Sequence, residues 1–193
     1  MDPRKRHSNP GRGNTGRSTR GERFADYAPV AVSRSSAEGV GIVRLALPGD
    51  LGSIVRLQRA VGRAVSPPAA IEAAISDPAR LVVVGEIDGC VAGWAKTHFW
   101  RRSDGDAPAG HYLGGVTVDP VFRRRGLGAA LTEARLEWIW QRTSHAWYIV
   151  NAQNRASIAL HERWDFEEVA RGERFHATTF TGGVGVLLRA QHG

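Results

Sequence analysis

Residues 116–130 read V-T-V-D-P-V-F-R-R-R-G-L-G-A-A. The β-branched run Val116-Thr117-Val118 stops at Pro120, and Arg123, Arg124 and Arg125 follow. Gly126-Leu127-Gly128 then opens a helical pattern that runs to about Arg142, with Leu127, Leu131, Ala134 and Trp138 on one face. A strand thus meets a helix N-terminus through a glycine-rich turn flanked by positive charge. The first N–H groups of a helix have no partner within it, and the helix dipole favours an anion beside them. Glycine removes the Cβ that would hold a ligand away from the backbone. The segment asks for a phosphate or pyrophosphate. The competing reading is a turn whose glycines serve only to reverse the chain.

Upstream, Gly41 to Leu47 alternates as a first strand, and Asp50 is placed to N-cap a helix reaching about Val61. Pro67-Pro68 opens a second short helix that ends near Ser76-Asp77-Pro78. Leu81 to Ile87 is an apolar strand, Asp88-Gly89 a hairpin turn, and Cys90 to His98 the returning strand. A polar loop, Trp100 to Gly110, leads into the strand His111 to Val118. Downstream, Ala146 to Val150 reads as a fifth strand, Ala156 to Trp164 as a helix, and Glu167 to Arg171 and Val184 to Leu188 as final strands. This alternation predicts an α/β fold around a central mixed sheet.

Residues 1–38 are rich in Gly, Arg, Ser, Pro and Asn and carry few apolar side chains, so they are expected to form a disordered basic tail. Within it Gly11 to Gly16 matches G-x-G-x-x-G, but neither a strand before it nor a helix after it is predicted, and both are needed for a nucleotide loop. Residues 1–23 hold +5 of the net charge of +7. The basic balance is therefore mainly a property of the tail and does not make nucleic acid the expected partner of the folded part.

A chain of 193 residues, 42% hydrophobic and 23% charged, has the length and composition of one globular domain. No apolar run approaches the length of a membrane span, and the N-terminus has no apolar signal-peptide core. The single cysteine, Cys90, excludes an internal disulfide framework and fits a cytoplasmic setting. It is expected as a small buried residue at the start of its strand. The histidines show no ligand spacing, and no metal is expected.

Two motifs give the chain a family likeness. Val116-x-Val118-Asp119-Pro120-x-x-Arg123-Arg124-Arg125-Gly126-Leu127-Gly128 resembles the [R/Q]-x-x-G-x-[G/A] loop of the GNAT superfamily of acetyl-CoA-dependent N-acyltransferases. Asn154 to Phe166 is similar to that family's N-x-x-[A/S]-x-x-L-Y-x-x-x-G-F segment, about 25 residues further on. The likeness covers roughly residues 42–190. It implies a GNAT domain over residues 39–193: a mixed, mostly antiparallel sheet of six to seven strands, about four flanking helices, and a V-shaped splay between the fourth and fifth strands. Gly114-Gly115 is a suitable place for the bulge that opens the splay.

By this resemblance the cosubstrate is acetyl-CoA. Backbone amides of Arg124, Arg125, Gly126, Leu127, Gly128 and Ala129 would hold its pyrophosphate, with Arg123 and the other guanidinium groups nearby. Val116 and Val118 would pair with the pantetheine arm through their backbones. Asn154 would hydrogen-bond pantetheine or shape the turn into the next helix, with Ser157 beside it; a bare helix cap is the alternative for Asn154.

Two positions depart from the family pattern. His161 stands where the family has a tyrosine that protonates the departing thiolate, and it is the expected catalytic acid. At an ordinary pKa roughly a quarter of it would be imidazolium at pH 7, and burial would lower that fraction. Packing beside CoA without proton transfer is the alternative, with Tyr148 and Tyr112 as fallback donors. Asp165 replaces the glycine that ends the following helix in a left-handed conformation, which aspartate tolerates better than most residues.

The implied reaction is direct attack of an amine on the thioester, with a strand N–H near Val116 or Val118 stabilising the oxyanion. Glu86, His98, His111 and Asp119 are the positional candidates for a base, and none is assigned. Trp94, Trp100, Trp147, Tyr148 and Phe175 are expected to line an acceptor pocket or to belong to the core. The acceptor class is a small-molecule or peptide amine, and a homodimer stays open. The alternative to an enzyme is a CoA-binding regulator of the same fold.

Overall fold

Leu81 to Ile87 has almost no polar side chain because the strand it forms is covered on both faces. In the computed structural model, which describes residues 41–62 and 65–193, that strand is β2, Val82–Ile87. The basic tail and its glycine pattern lie outside the described residues. The other elements are β1 (Ile42–Leu45), α1 (Leu51–Ala60), α2 (Pro68–Ser76), β3 (Cys90–Trp100), β4 (Gly110–Val118), α3 (Leu127–Trp140) and β5 (His145–Asn151). They are followed by α4 (Arg155–His161), β6 (Glu167–Gly172), β7 (Arg174–Phe175), β8 (Thr178–Thr179) and β9 (Gly185–Gln191).

Seven strands form one sheet in the order β1-β2-β3-β4-β5-β9-β6, and β7 and β8 form a separate small hairpin. All neighbours in the large sheet are antiparallel except β4 and β5. This is the mixed, mostly antiparallel sheet expected from the sequence. Among the described residues no helix is long and apolar enough to cross a membrane.

Alternation along β2 sends Val82 and Val84 to one face and Val83 to the other. The first pair packs with Ile54 and Leu57 of α1, Ile71 and Ala74 of α2, and Trp94. Val83 packs with Leu127, Leu131 and Ala134 of α3. Two glycines let α3 come down onto the sheet. A Cβ at Gly85 would lie 2.4 Å from Leu127 Cδ1, and one at Gly93 would lie 3.1 Å from both Leu127 Cδ2 and Leu131 Cδ1. The first turn of α3 is thereby held beside β2 and β3. The far end of α3 packs through Leu136 and Ile139 against Leu113, Tyr148 and Val150.

Two local expectations are corrected, and one alternative is decided. The carboxylate of Asp50 does not cap α1; it turns back to accept from the Leu47 N–H at 2.7 Å and from Arg44 at 2.7 and 2.9 Å. Arg44 also reaches Glu86, so the first two strands are tied by charge as well as by the ladder. Cys90 is exposed, because it opens β3 at the rim just after the Asp88-Gly89 turn. Trp94 is core: it is 4% exposed under α1 and α2.

Candidate functional site

The ladder between β4 and β5 consists of Tyr112 opposite Trp147 and Leu113 opposite Tyr148, and stops there. On the other side of β4, Leu113 pairs with Thr97 and Val116 with Ala95. One residue of β3, Lys96, thus faces two of β4, Gly114 and Gly115. This is the bulge and the splay that the glycine pair foretold. A side chain at Gly114 would strike the Lys96 carbonyl at 2.8 Å and His98 Cδ2 at 3.1 Å, so glycine is required there.

β4 runs into the arginine–glycine turn. Asp119 caps a short 3-10 turn, accepting from the Val121 N–H at 3.0 Å, so it is committed locally and is not placed as a base. Arg124 and Gly126 both take positive φ, 63° and 83°. Gly126 is the N-cap of α3 and offers no side chain to the helix start, while the first N–H of this helix to find a carbonyl of its own is that of Ala130, bonded to Gly126. The N–H groups of Leu127, Gly128 and Ala129 are therefore the open donors of a helix end. Arg123 Nε donates to the Val118 carbonyl at 3.3 Å, and Arg125 lies 5.5 Å from the Phe122 ring. Arg124 is exposed on the turn. A diphosphate suits this donor set: amides at a helix start, three cations, and no carboxylate among residues 120–130.

α4 begins at the far side of the splay. Asn154 accepts from the Ser157 N–H at 3.3 Å, a helix cap. The Ser157 hydroxyl meets the Tyr148 hydroxyl at 2.5 Å. His161 stacks on the Tyr148 ring at 4.0 Å and is 1% exposed. Its Nδ1 lies 2.7 Å from the Ser157 carbonyl, which only accepts, so the imidazole proton sits on Nδ1. Nε2 is left buried with a lone pair and no partner. Burial pushes the imidazole down to about 4. As expected of a buried imidazole, the ring is neutral at pH 7 and has no proton on its free nitrogen. Asp165 adopts φ 53°, as expected where the helix ends left-handed.

Arg135 escaped the sequence reading. It follows Leu131 by one turn on the buried stripe of α3 and is 0% exposed. Its guanidinium donates to the carbonyls of Gly114 at 2.7 Å, Lys96 at 3.1 Å and Leu131 at 3.0 Å, and to the Thr132 hydroxyl at 3.0 Å. Among the described residues it has no carboxylate partner. Burial brings it down to about 9, so it is charged at neutral pH. A charged residue interrupting an otherwise apolar helix stripe is the signal that could have found it.

The remaining candidates separate. Glu86 is held by Arg44. His98 stands beside the bulge; burial first, then Lys96, Arg80 and Arg135, push it down to about 4. His111 lies between Phe99 and Trp138. Tyr112 donates to the Pro108 carbonyl at 2.6 Å, which removes it as a proton donor. Trp100, Trp147 and Phe175 gather with Tyr112 and Leu187 in one cluster, and Trp100 stacks on His176 at 4.3 Å. Tyr148 belongs instead to the α3–α4 cluster with Phe166.

The buried His161 and the half-buried His98 carry a pH consequence. Their folded pKa of about 4 lies below the ordinary value near 6.5 that they regain on unfolding. As pH falls from about 6.5 to about 4, the unfolded chain binds protons that the folded chain refuses. Stability is therefore lost across that window, by up to about 1.4 kcal/mol per pH unit for each group. Urea unfolding between pH 7 and pH 4 should show this decline, with a shallower slope in His161→Phe. Identical slopes in the two proteins would contradict it.

The Acetyltransferase (GNAT) family model matches residues 52–166. The chain is 37% identical over 65 residues to the [ribosomal protein bS18]-alanine N-acetyltransferase of Escherichia coli K12, covering 33% of this chain and 44% of that one. It is 35% identical over 95 residues to the mycothiol acetyltransferase of Clavibacter sepedonicus, 49% of this chain and 29% of that one. The chain thus spans less than half the length of these curated relatives. A Salmonella typhimurium chain solved with its cofactor acetyl-CoA superimposes with a TM-score of 0.62 at 22% identity, covering 77% of this chain and 92% of that one. A family model spanning more than half of the residues, together with a sheet that splays at a β4 bulge beside a glycine-rich helix start, places this chain in the GNAT acetyltransferase family.

Proposed function

We propose that this chain transfers the acetyl group of acetyl-CoA directly to an amine. The observation that carries the proposal is the open helix start at Gly126, set against the end of the β4–β5 ladder, so that a diphosphate site and a strand edge lie in line. Amides of residues 124–129 take the diphosphate, with Arg124 as the side chain best placed to join them. Arg123 and Arg125 brace the turn through Val118 and Phe122. The backbone of β4 at Val116 and Val118, past the end of the β5 ladder, takes the pantetheine arm as an added strand. Asn154 shapes the entry to α4.

The amine attacks the thioester carbon, the carbonyl oxygen becomes an oxyanion, and collapse expels the thiolate. Tyr148 is assigned as the group that protonates it. Its hydroxyl is an O–H donor paired with that of Ser157. His161 acts as a neutral shelf that holds the Tyr148 ring.

The acceptor is a small-molecule or peptide amine. One relative acts on an alanine of ribosomal protein bS18 and another is a mycothiol acetyltransferase, so both kinds belong on the test panel. A second reading, a CoA-binding regulator, is favoured by the lack of a carboxylate beside the bulge among the described residues. Thiol release from acetyl-CoA across amino acids, polyamines and peptides with free N-termini separates the two. Release above the buffer rate with at least one amine is expected; CoA binding without release across the panel would favour the regulator.

A further inference from the structure

At the bulge in β4, two carbonyls take a side-chain donor. In a regular ladder the Lys96 and Gly114 carbonyls would accept from the opposing strand. Here both accept from the same nitrogen of Arg135, at 3.1 and 2.7 Å. A peptide unit is planar and trans, so its C=O and N–H point in opposite directions. Once Arg135 draws the Gly114 carbonyl toward α3, the N–H on the other side of that unit, belonging to Gly115, points away from the guanidinium. Gly114 is buried and Gly115 is exposed, on the part of β4 that has left β5. A buried cation with no carboxylate partner among the described residues thus sits behind one specific amide.

We infer that Arg135 is a positioning residue that orients and polarises the Gly115 N–H as the donor to the thioester oxygen. The inference rests on the acetyl-CoA reading above. The guanidinium sets the direction of the amide through the Gly114 carbonyl, and its charge strengthens the amide as a donor. The pair is assembled before the ligand arrives, so no reorientation is needed as negative charge builds on the oxygen. Thr132 completes the support: its hydroxyl accepts from Arg135 and donates to the Gly128 carbonyl at 2.9 Å, linking the clamp to the first turn of α3.

The test is the infrared carbonyl band of acetyl-CoA labelled with carbon-13 at the thioester carbonyl, recorded free and bound. Wild-type protein is expected to shift the bound band to lower frequency. Arg135→Met should bind unlabelled CoA within about threefold of wild type, yet return the band to its free position. Arg135→Lys, which keeps the charge but is shorter and loses the bonds to Leu131 and Thr132, should restore part of the shift. A full shift in Arg135→Met, or an unshifted band in wild-type protein that binds acetyl-CoA, would overturn the inference, the latter without any variant having to fold. A wild-type protein that binds neither acetyl-CoA nor CoA would instead overturn the acetyl-CoA reading on which it rests.

Discussion

Gly126→Val is expected to weaken CoA binding by at least ~10²-fold. Gly126 holds φ 83° and ψ −11° as the N-cap of α3. A β-branched residue is a steric outlier in that region, and leaving the glycine conformation costs roughly 1–2 kcal/mol. Either the strain persists or the turn relaxes and its amides swing away. About 2.7 kcal/mol of lost binding corresponds to ~10²-fold in Kd. Titration calorimetry with CoA measures it. The control is Gly89→Val, at φ 74° in the β2–β3 turn with no atom within 4 Å of an added Cβ. It carries comparable backbone strain in a different turn and should bind CoA as wild type does. Undiminished affinity in Gly126→Val would remove the turn from the site.

The second large effect separates the two rings that stack in the splay. Tyr148→Phe should lower kcat by about 10²-fold, near the low end of general-acid contributions because a thiolate is a fair leaving group. His161→Phe should keep kcat within a few-fold of wild type across pH 6–9. Its Nε2 has no proton to give, and its Nδ1–H is committed to Ser157. Phenylalanine preserves the stacking surface under Tyr148, which lies 4.0 Å away. Steady-state thiol release with an amine found on the panel measures both variants. A large kcat loss in His161→Phe with none in Tyr148→Phe would restore the histidine as proton donor.

Much of the fold was legible because local chemistry and tertiary packing agree. Asp88-Gly89 between two apolar runs could hardly be anything but a hairpin, and both residues take positive φ. The stripe Leu127, Leu131 and Ala134 is buried as periodicity predicts. The bulge was readable from Gly114-Gly115 because a side chain at Gly114 has nowhere to go. Other features depend on partners distant in sequence. β9 inserts between β5 and β6, a pairing that no local pattern encodes. Asp50 has the residue type and position of a helix cap, but Arg44, six residues earlier, claims its carboxylate.

The site shows the same division. The turn proposed to hold the diphosphate was written in consecutive residues from Arg123 to Gly128. The chemistry of His161 was not. Its identity suggested a titrating acid, whereas Tyr148 and Phe166 enclose it and Ser157 takes its proton. Arg135 was hidden for the opposite reason. An arginine on a helix is ordinarily a solvated residue, and only the bulge across from it, 21 positions earlier in the chain, explains why this one is buried.

A structure of the protein with CoA bound probes the diphosphate grip most directly. Diphosphate oxygens are expected within hydrogen-bond distance, about 2.7–3.2 Å, of two or more amides among residues 124–129, with the pantetheine arm running along β4. Those amides satisfied by protein groups, with the nucleotide lying elsewhere on the surface, would contradict the proposed function at its root.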